Sequence, residues 1–261
     1  LYQFIKKHHQ EFISEINSNF SPAETCQQPV KLLLIPGMFY KEHPDFGADG
    51  RLIRDIASRF GFEVELLEVE SKGSVLSNKN IILKKITNDS HPNIWLVSLS
   101  KGSTETRLCL EELMRKEFPV NITGWVSVSG LIFGTPLATK KLRTNFRKAW
   151  WYLLTRLIRV DYKITAEISH HNKKLMVDVV LPPHLEVIHV VGFPLAAHLQ
   201  PRLLKQYNKL VSIGPNDGII LLEDLLNIRG KVYPIWGVDH FLRAGNISQI
   251  IYKLCCYINN K

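Results

Sequence analysis

A serine, a histidine and an acid spread along this chain are of the types that together open a carbonyl group. The serine is Ser100, where the hydrophobic run of residues 95–99 passes straight into a helix-forming stretch through Ser98-Leu-Ser100-Lys-Gly102. A nucleophile held on so tight a strand-to-helix turn needs small residues two before and two after it, because a larger side chain would strike neighbouring backbone. Ser98 and Gly102 meet that need. The turn would present the hydroxyl at the C-terminal end of a sheet and aim the helix N-terminus at it. The plainer alternative is that Ser100 only caps the helix, a position serine often takes.

A serine hydroxyl is a poor nucleophile at neutral pH and needs a base, which in turn needs an acid to orient it. Gly237-Val-Asp239-His240 follows the last strand-like run, so His240 is the candidate base. Ser212-Ile-Gly-Pro-Asn216-Asp217-Gly218 is rich in turn-forming residues, which are expected to hold Asp217 exposed as the candidate acid. Asp239 and Asp224 stay open as alternative orienters. The developing oxyanion requires backbone N–H groups. Lys101, directly after the serine, offers one, and Met38 in Pro36-Gly37-Met38 offers the second. His43 lies in the same loop and reads equally well as a surface residue.

These residues need a scaffold that gathers distant loops, and the hydrophobic pattern supplies one. Residues 31–36 (KLLLIP) read as a strand buried on both faces, ended by Pro36 and Gly37. Helix, strand, helix, strand, helix and strand then follow over residues 50–60, 62–69, 79–87, 93–99, 101–116 and 122–128. This is the rhythm of parallel βαβ units. The rhythm breaks for about 50 residues after Gly134 and resumes with the strand of residues 185–191. A last strand covers residues 231–236, with Pro234 favouring a place near the sheet edge, and a helix closes the chain over residues 247–258. Ahead of the first strand, residues 1–20 read as an amphipathic helix and residues 21–29 as a link.

At 261 residues, with 45% hydrophobic and 22% charged residues, the chain suits one α/β domain over residues 1–261, with residues 135–183 as a helical cap inserted in it. No apolar run approaches the roughly 20 residues of a membrane span. Cys26, Cys109, Cys255 and Cys256 lack metal or redox spacing and read as free thiols of a reducing compartment, which favours the cytoplasm. A targeting segment or anchor ahead of Leu1 stays open. His8-His9 and His170-His171 lack accompanying ligands, and there is no Walker A or Rossmann glycine pattern, so neither a metal nor a cofactor is expected. The sequons at Asn88, Asn121 and Asn246 do not establish secretion.

The net charge is +9, and most of the excess lies in residues 140–163. Lys140, Lys141, Arg143, Arg147, Lys148, Arg156, Arg159 and Lys163 stand there against Asp161 alone, interleaved with Phe146, Trp150, Trp151, Tyr152 and Leu153. On a helix this makes an apolar stripe edged with cations, suited to a protein core, a lipid surface or an anionic substrate. The plainest form is a solvated basic helix with its stripe toward the core. Nucleic acid is not expected, because no recognition motif accompanies the charge.

The Ser100 turn, the Pro36-Gly37-Met38 loop, the Asn216-Asp217-Gly218 segment and the Asp239-His240 pair together resemble the α/β-hydrolase superfamily, over roughly residues 31–258. The resemblance implies a mostly parallel central sheet flanked by helices, with a helical cap. It also implies a lipase- or esterase-like serine hydrolase with Ser100, His240 and Asp217 as triad, Met38 and Lys101 as oxyanion hole and the cap as lid. Asn-Asp-Gly followed by Ile219 and Ile220 is similar to the acid segment of lipase-like and GPI-inositol-deacylase-like hydrolases, implying an ester or lipid substrate. The lid's cations would meet an anionic headgroup or membrane. Two departures stand out: Ser98 replaces the usual glycine of the turn, and Pro36-Gly37 stands where many relatives have His-Gly. A thioesterase, an acyltransferase or a non-catalytic binding protein with an occluded site would use the same residues, and no oligomeric state is implied.

Overall fold

In the computed structural model, which describes residues 1–18, 26, 28–116 and 118–261, six parallel strands form one sheet. They are β1 (Lys31–Ile35), β2 (Glu63–Leu66), β3 (Ile94–Leu99), β4 (Ile122–Val128), β5 (Glu186–Phe193) and β6 (Lys231–Trp236), in the spatial order β2-β1-β3-β4-β5-β6. Chain direction across the sheet reverses between β1 and β3, and the loops leaving those two strands diverge there. Such a switch point is where open α/β sheets bind ligands. It brings the loop after β1 beside the end of β3, with Ile35 paired to Ser98.

All five residues of β1 are buried, as a strand covered on both faces must be. Leu32, Leu34, Val97, Val126 and Val190 face α2 (Gln10–Ser18), α3 (Arg51–Phe60) and α10 (Ile247–Asn259). Leu33, Ile35, Leu96 and Trp125 face α4 (Val75–Asn88) and α5 (Lys101–Arg115). Burying a side chain of this size contributes about 1.5–3 kcal/mol, so the two layers hold the strand ends that carry the site. Local signals set the helix ends. Ser74 accepts from the Ser77 N–H at 3.0 Å to start α4, and Gly61, at φ 106°, ends α3.

Between β4 and β5 lie α6 (Pro136–Lys141), α7 (Asn145–Leu157) and α8 (Lys163–Glu167), and α9 (Pro201–Leu210) follows β5. Thr135 caps α6 and Thr144 caps α7, each accepting a backbone N–H two or three residues on, at 3.2 Å.

The structure differs from the sequence reading at some boundaries. The expected N-terminal helix divides at His9 into α1 (Tyr2–His8), which packs on β6 with Tyr2 against Phe193 and Trp236, and α2, which packs on α10. Two differently oriented surfaces require the bend. Residues 19–25 and 27, covering the end of that helix and most of the expected link, lie outside the described residues. Helix α4 begins four residues earlier than its apolar spacing suggests, because Ser74 is the cap. Strand β2 is shorter than expected, since only β1 flanks it. Strand β6 is the opposite edge and carries Pro234. No helix among the described residues is long and apolar enough to cross a membrane.

Candidate active site

Strand β3 turns into α5 at Ser100, whose φ of 49° and ψ of −117° are unusual for a residue with a Cβ. Such strain costs on the order of 1–3 kcal/mol and persists only where surrounding contacts enforce it. Here the Ser100 N–H donates to the Val128 carbonyl at 3.0 Å, and the Ser100 carbonyl accepts from Ser103 and Leu131 at 3.1 and 3.0 Å. Ser100 stands at the N-cap of α5, yet its hydroxyl makes no capping bond and is left for another partner. Gly102 fits because a Cβ there would lie 2.7 and 2.8 Å from the carbonyl oxygens of Pro36 and Ile35.

That partner is His240. The loop after β6 reaches Ser100 because Gly192 on β5 has no side chain: a Cβ there would stand 2.2 Å from the Val238 carbonyl. His240 Nε2 lies 2.9 Å from Ser100 Oγ, and Nδ1 lies 2.7 Å from Asp217 Oδ2. The carboxylate facing Nδ1 assigns the proton to that nitrogen, leaving Nε2 to accept from the serine hydroxyl.

Asp217 is fully buried, contrary to the exposed position expected from its turn-rich surroundings. Its Oδ1 accepts from the Ile219 and Ile220 N–H groups at 2.8 and 2.9 Å, and its backbone carbonyl accepts from the His240 N–H at 3.1 Å. The turn thus folds over its own carboxylate and fastens it to the histidine loop. The two alternative acids are engaged elsewhere: Asp239 binds Arg243 at 2.7 Å, and Asp224 stands 3.3 Å from His170.

The Lys101 N–H is the first of its helix and has no carbonyl one turn behind it. The Met38 N–H has no hydrogen-bond partner among the described residues, whereas its neighbours Gly37 and Phe39 bond to Ala48 and Ser71. Both residues line the cavity that opens over Ser100 and His240. His43 is exposed, stacks on Phe46 and does not line it. No group of three or more acidic, histidine or cysteine residues that could hold a metal ion occurs among the described residues.

No protein-family model and no curated protein sequence matches the chain. Solved structures do. A metagenomic carboxyl esterase superposes with a TM-score of 0.70 at 16% identity, over 92% of this chain and 79% of its own. A Bacillus licheniformis lipase in its mature form gives 0.62 at 16%, over 90% and 93%. The mouse alpha/beta hydrolase domain-containing protein 10 gives 0.57 at 13%, over 92% and 96%.

The fold is that of the α/β-hydrolase superfamily. Within this hydrolase fold the serine at position 98 has a local explanation. Its hydroxyl lies 2.8 Å from Ser103 Oγ and accepts from Trp125 Nε1 at 2.8 Å, while Ser127 Oγ lies 3.0 Å from Ser103 Oγ. A buried hydroxyl finds partners there, so the small site under the turn admits serine in place of glycine.

The hydrolase fold also buries charge behind the turn. Lys101 Nζ pairs with Glu105 one turn along α5, and Asn78 Nδ2 donates to the same carboxylate at 2.8 Å. Burial drives the Glu105 carboxyl up to about 7, and the opposing pull of Lys101 and Asn78 does not cancel it. Nothing in the sequence singles out Glu105, since an i,i+4 Lys-Glu pair is ordinary on exposed helices. Ser129 likewise carries no sequence signal. It lines the cavity at a φ of 46°, with its hydroxyl buried and without a hydrogen-bond partner among the described residues.

The cavity has a volume of about 1020 Å³. On one side it runs down between Val97, Val126 and Val190 of the sheet and Ile251, Leu254 and Ile258 of α10; on the other it is roofed by α6, α7 and α8. Helix α7 does not present one stripe to the core. Trp151 lines the cavity, and so do the rims of Phe146 and Trp150, which are 81% and 65% exposed, whereas Leu153 and Leu157, 60% and 79% exposed, lie outside its lining. The apolar arc of this helix is too wide for one contact surface, and sequence periodicity cannot say which part meets protein.

Proposed function

We propose that the protein is a serine hydrolase that cleaves a carboxylic ester, of lipid or acyl type, through an acyl-enzyme. The observation that carries this reading is the hydrogen-bonded series Ser100, His240, Asp217 at the foot of a large apolar cavity. The esterase and the lipase that share the fold support it.

Ser100 Oγ attacks the ester carbonyl carbon while His240 Nε2 takes the hydroxyl proton, and Asp217 holds the imidazolium that results. The carbonyl oxygen, now an anion, is met by the Met38 and Lys101 N–H groups. One such donor is worth about 2.7–4 kcal/mol in the transition state. Collapse breaks the bond to the leaving oxygen, which departs as an alcohol with the proton from His240. Water then attacks the acyl-enzyme by the same route and frees the acid and Ser100. The acyl chain lies in the apolar part of the cavity.

Helices α6 to α8 act as the lid, and the exposed stripe of α7, edged by Lys148, Arg156 and Arg159, rests on an anionic lipid surface. Apolar side chains at the surface level with flanking cations suit that boundary. Labelling with a fluorophosphonate, wild type against Ser100→Ala, tests the central reading, followed by p-nitrophenyl esters of increasing chain length. Ser100-dependent labelling with turnover is expected. A folded protein that shows neither is a binding protein on a hydrolase scaffold.

A further inference from the structure

The mouth of the cavity, opposite its apolar depth, carries an excess of positive charge. Lys140 and Lys141 at the end of α6, Arg147 on α7, and Arg202 and Lys209 on α9 all line it. None of the five takes part in an ion pair among the described residues. The one acidic side chain in the same lining is Asp45. Lys31, at the other end of the sheet, shows the contrast: it contacts Glu63, Glu65 and Asp89, each at 2.9 Å.

The five are held by neutral groups instead. Lys140 Nζ donates to the Lys209 carbonyl, and Arg147 Nη1 to the Lys140 carbonyl at 3.4 Å, which ties the end of α6, the start of α7 and the end of α9 together at one corner of the mouth. Lys209 Nζ donates to Gln206 at 3.1 Å, Lys141 Nζ sits 3.3 Å above the Trp151 ring, and the Arg202 guanidinium lies 5.8 Å from the Phe46 ring. Like charges gathered in this way repel unless an anion lies between them, and the donors left over are those a phosphate accepts from.

The position of Ser100 adds direction. Val97 lies three residues before it on β3, in the apolar depth, and the cations lie on the lid side beyond the strand ends. We propose that the substrate is an acyl ester or thioester whose leaving group bears a phosphate, held by Lys140, Arg147 and Lys209 while the acyl chain points toward α10. This rests on the serine hydrolase reading and names its substrate class. The bond to the leaving oxygen or sulfur breaks as above, the alcohol or thiol leaves with the proton from His240, and the phosphate is untouched.

The test is a binding measurement on the full chain carrying Ser100→Ala, comparing dodecyl phosphate with dodecanol by calorimetry. Dodecyl phosphate is expected to bind at least about tenfold tighter, as charge-assisted hydrogen bonds allow, and the advantage should shrink as salt rises. Adding Lys140→Gln, Arg147→Gln and Lys209→Gln should abolish the advantage, whereas Lys209→Arg alone should keep it. Equal binding of the two probes, or an advantage that survives the triple change, overturns the proposal. Two competitors with the same acyl chain distinguish the sources of phosphate, a monoacylglycerol phosphate and a coenzyme A thioester. Displacement of dodecyl phosphate by either, better than by the neutral monoacylglycerol, supports the proposal, and displacement by neither overturns it. Binding needs no turnover, so a failed fluorophosphonate experiment is distinguishable from a failed phosphate site.

Discussion

Lys101 and Glu105, one turn apart on α5, form a buried ion pair beside the cavity that Lys101 lines. Both side chains are buried, and burial raises the Glu105 carboxyl to about 7. Its proton is held more firmly in the folded chain than in the unfolded one. The stabilisation it contributes is therefore complete below the ordinary carboxylate range and is lost as pH rises through about 7. The urea midpoint of wild type relative to Glu105→Gln should fall between pH 4.5 and 8, by the equivalent of a few kcal/mol. A difference that stays flat would remove Glu105 as the titrating group.

His189, in the middle of β5, has the opposite dependence. It is wholly buried, its Nδ1 has no hydrogen-bond partner among the described residues, and burial lowers its ring to about 4. The folded chain resists the proton that the unfolded chain accepts, so stability present above the ordinary histidine value is lost as pH falls through about 4. The loss amounts to on the order of 3 kcal/mol. His189→Leu should melt with less acid sensitivity than wild type between pH 7 and 4.5, and equal sensitivity would contradict this assignment.

Gly102→Ala tests the contact between the nucleophile turn and the loop after β1. The added methyl meets the Pro36 and Ile35 carbonyls at under 3 Å, so one of the two segments must move. Overpacking of this kind costs about 1–3 kcal/mol. Ester turnover should fall more steeply than thermal stability, because the displaced segment carries Met38. An active, unshifted variant would show that the loop accommodates the methyl.

Asp217→Asn keeps the shape of the buried turn and removes its charge. The histidine then loses the partner that fixes its tautomer, and kcat should drop about 10⁴-fold while the fold survives. Loss of secondary structure by circular dichroism would instead mark Asp217 as chiefly a structural carboxylate.

The outer face of α7 is separable from the cavity mouth. Changing Lys148, Arg156 and Arg159 to Gln should weaken co-sedimentation with vesicles rich in anionic lipid, by about 1 kcal/mol for each charge near the surface. Binding that persists unchanged would end the lipid-surface reading of the lid.

The alternation of apolar runs and helix-forming stretches determined the order of the six strands and the closing helix, because central strands such as β1 and β3 are buried on both faces and read as continuous apolar runs. Small residues at 98 and 102 marked the tight turn at Ser100, and chain order placed an acid and a histidine at the same sheet end. These signals are local, and local sequence carries them. That Asp217, and not Asp239 or Asp224, lies against His240 depended on which loop closes over which, and the three-dimensional arrangement, with Gly192 letting the histidine loop approach, sets that contact. The burial of Asp217, the sealed Lys101–Glu105 pair and the outward stripe of α7 belong to the same class. Each depends on what packs against a side chain from a distant part of the chain, and a pattern of residue types does not name its neighbours.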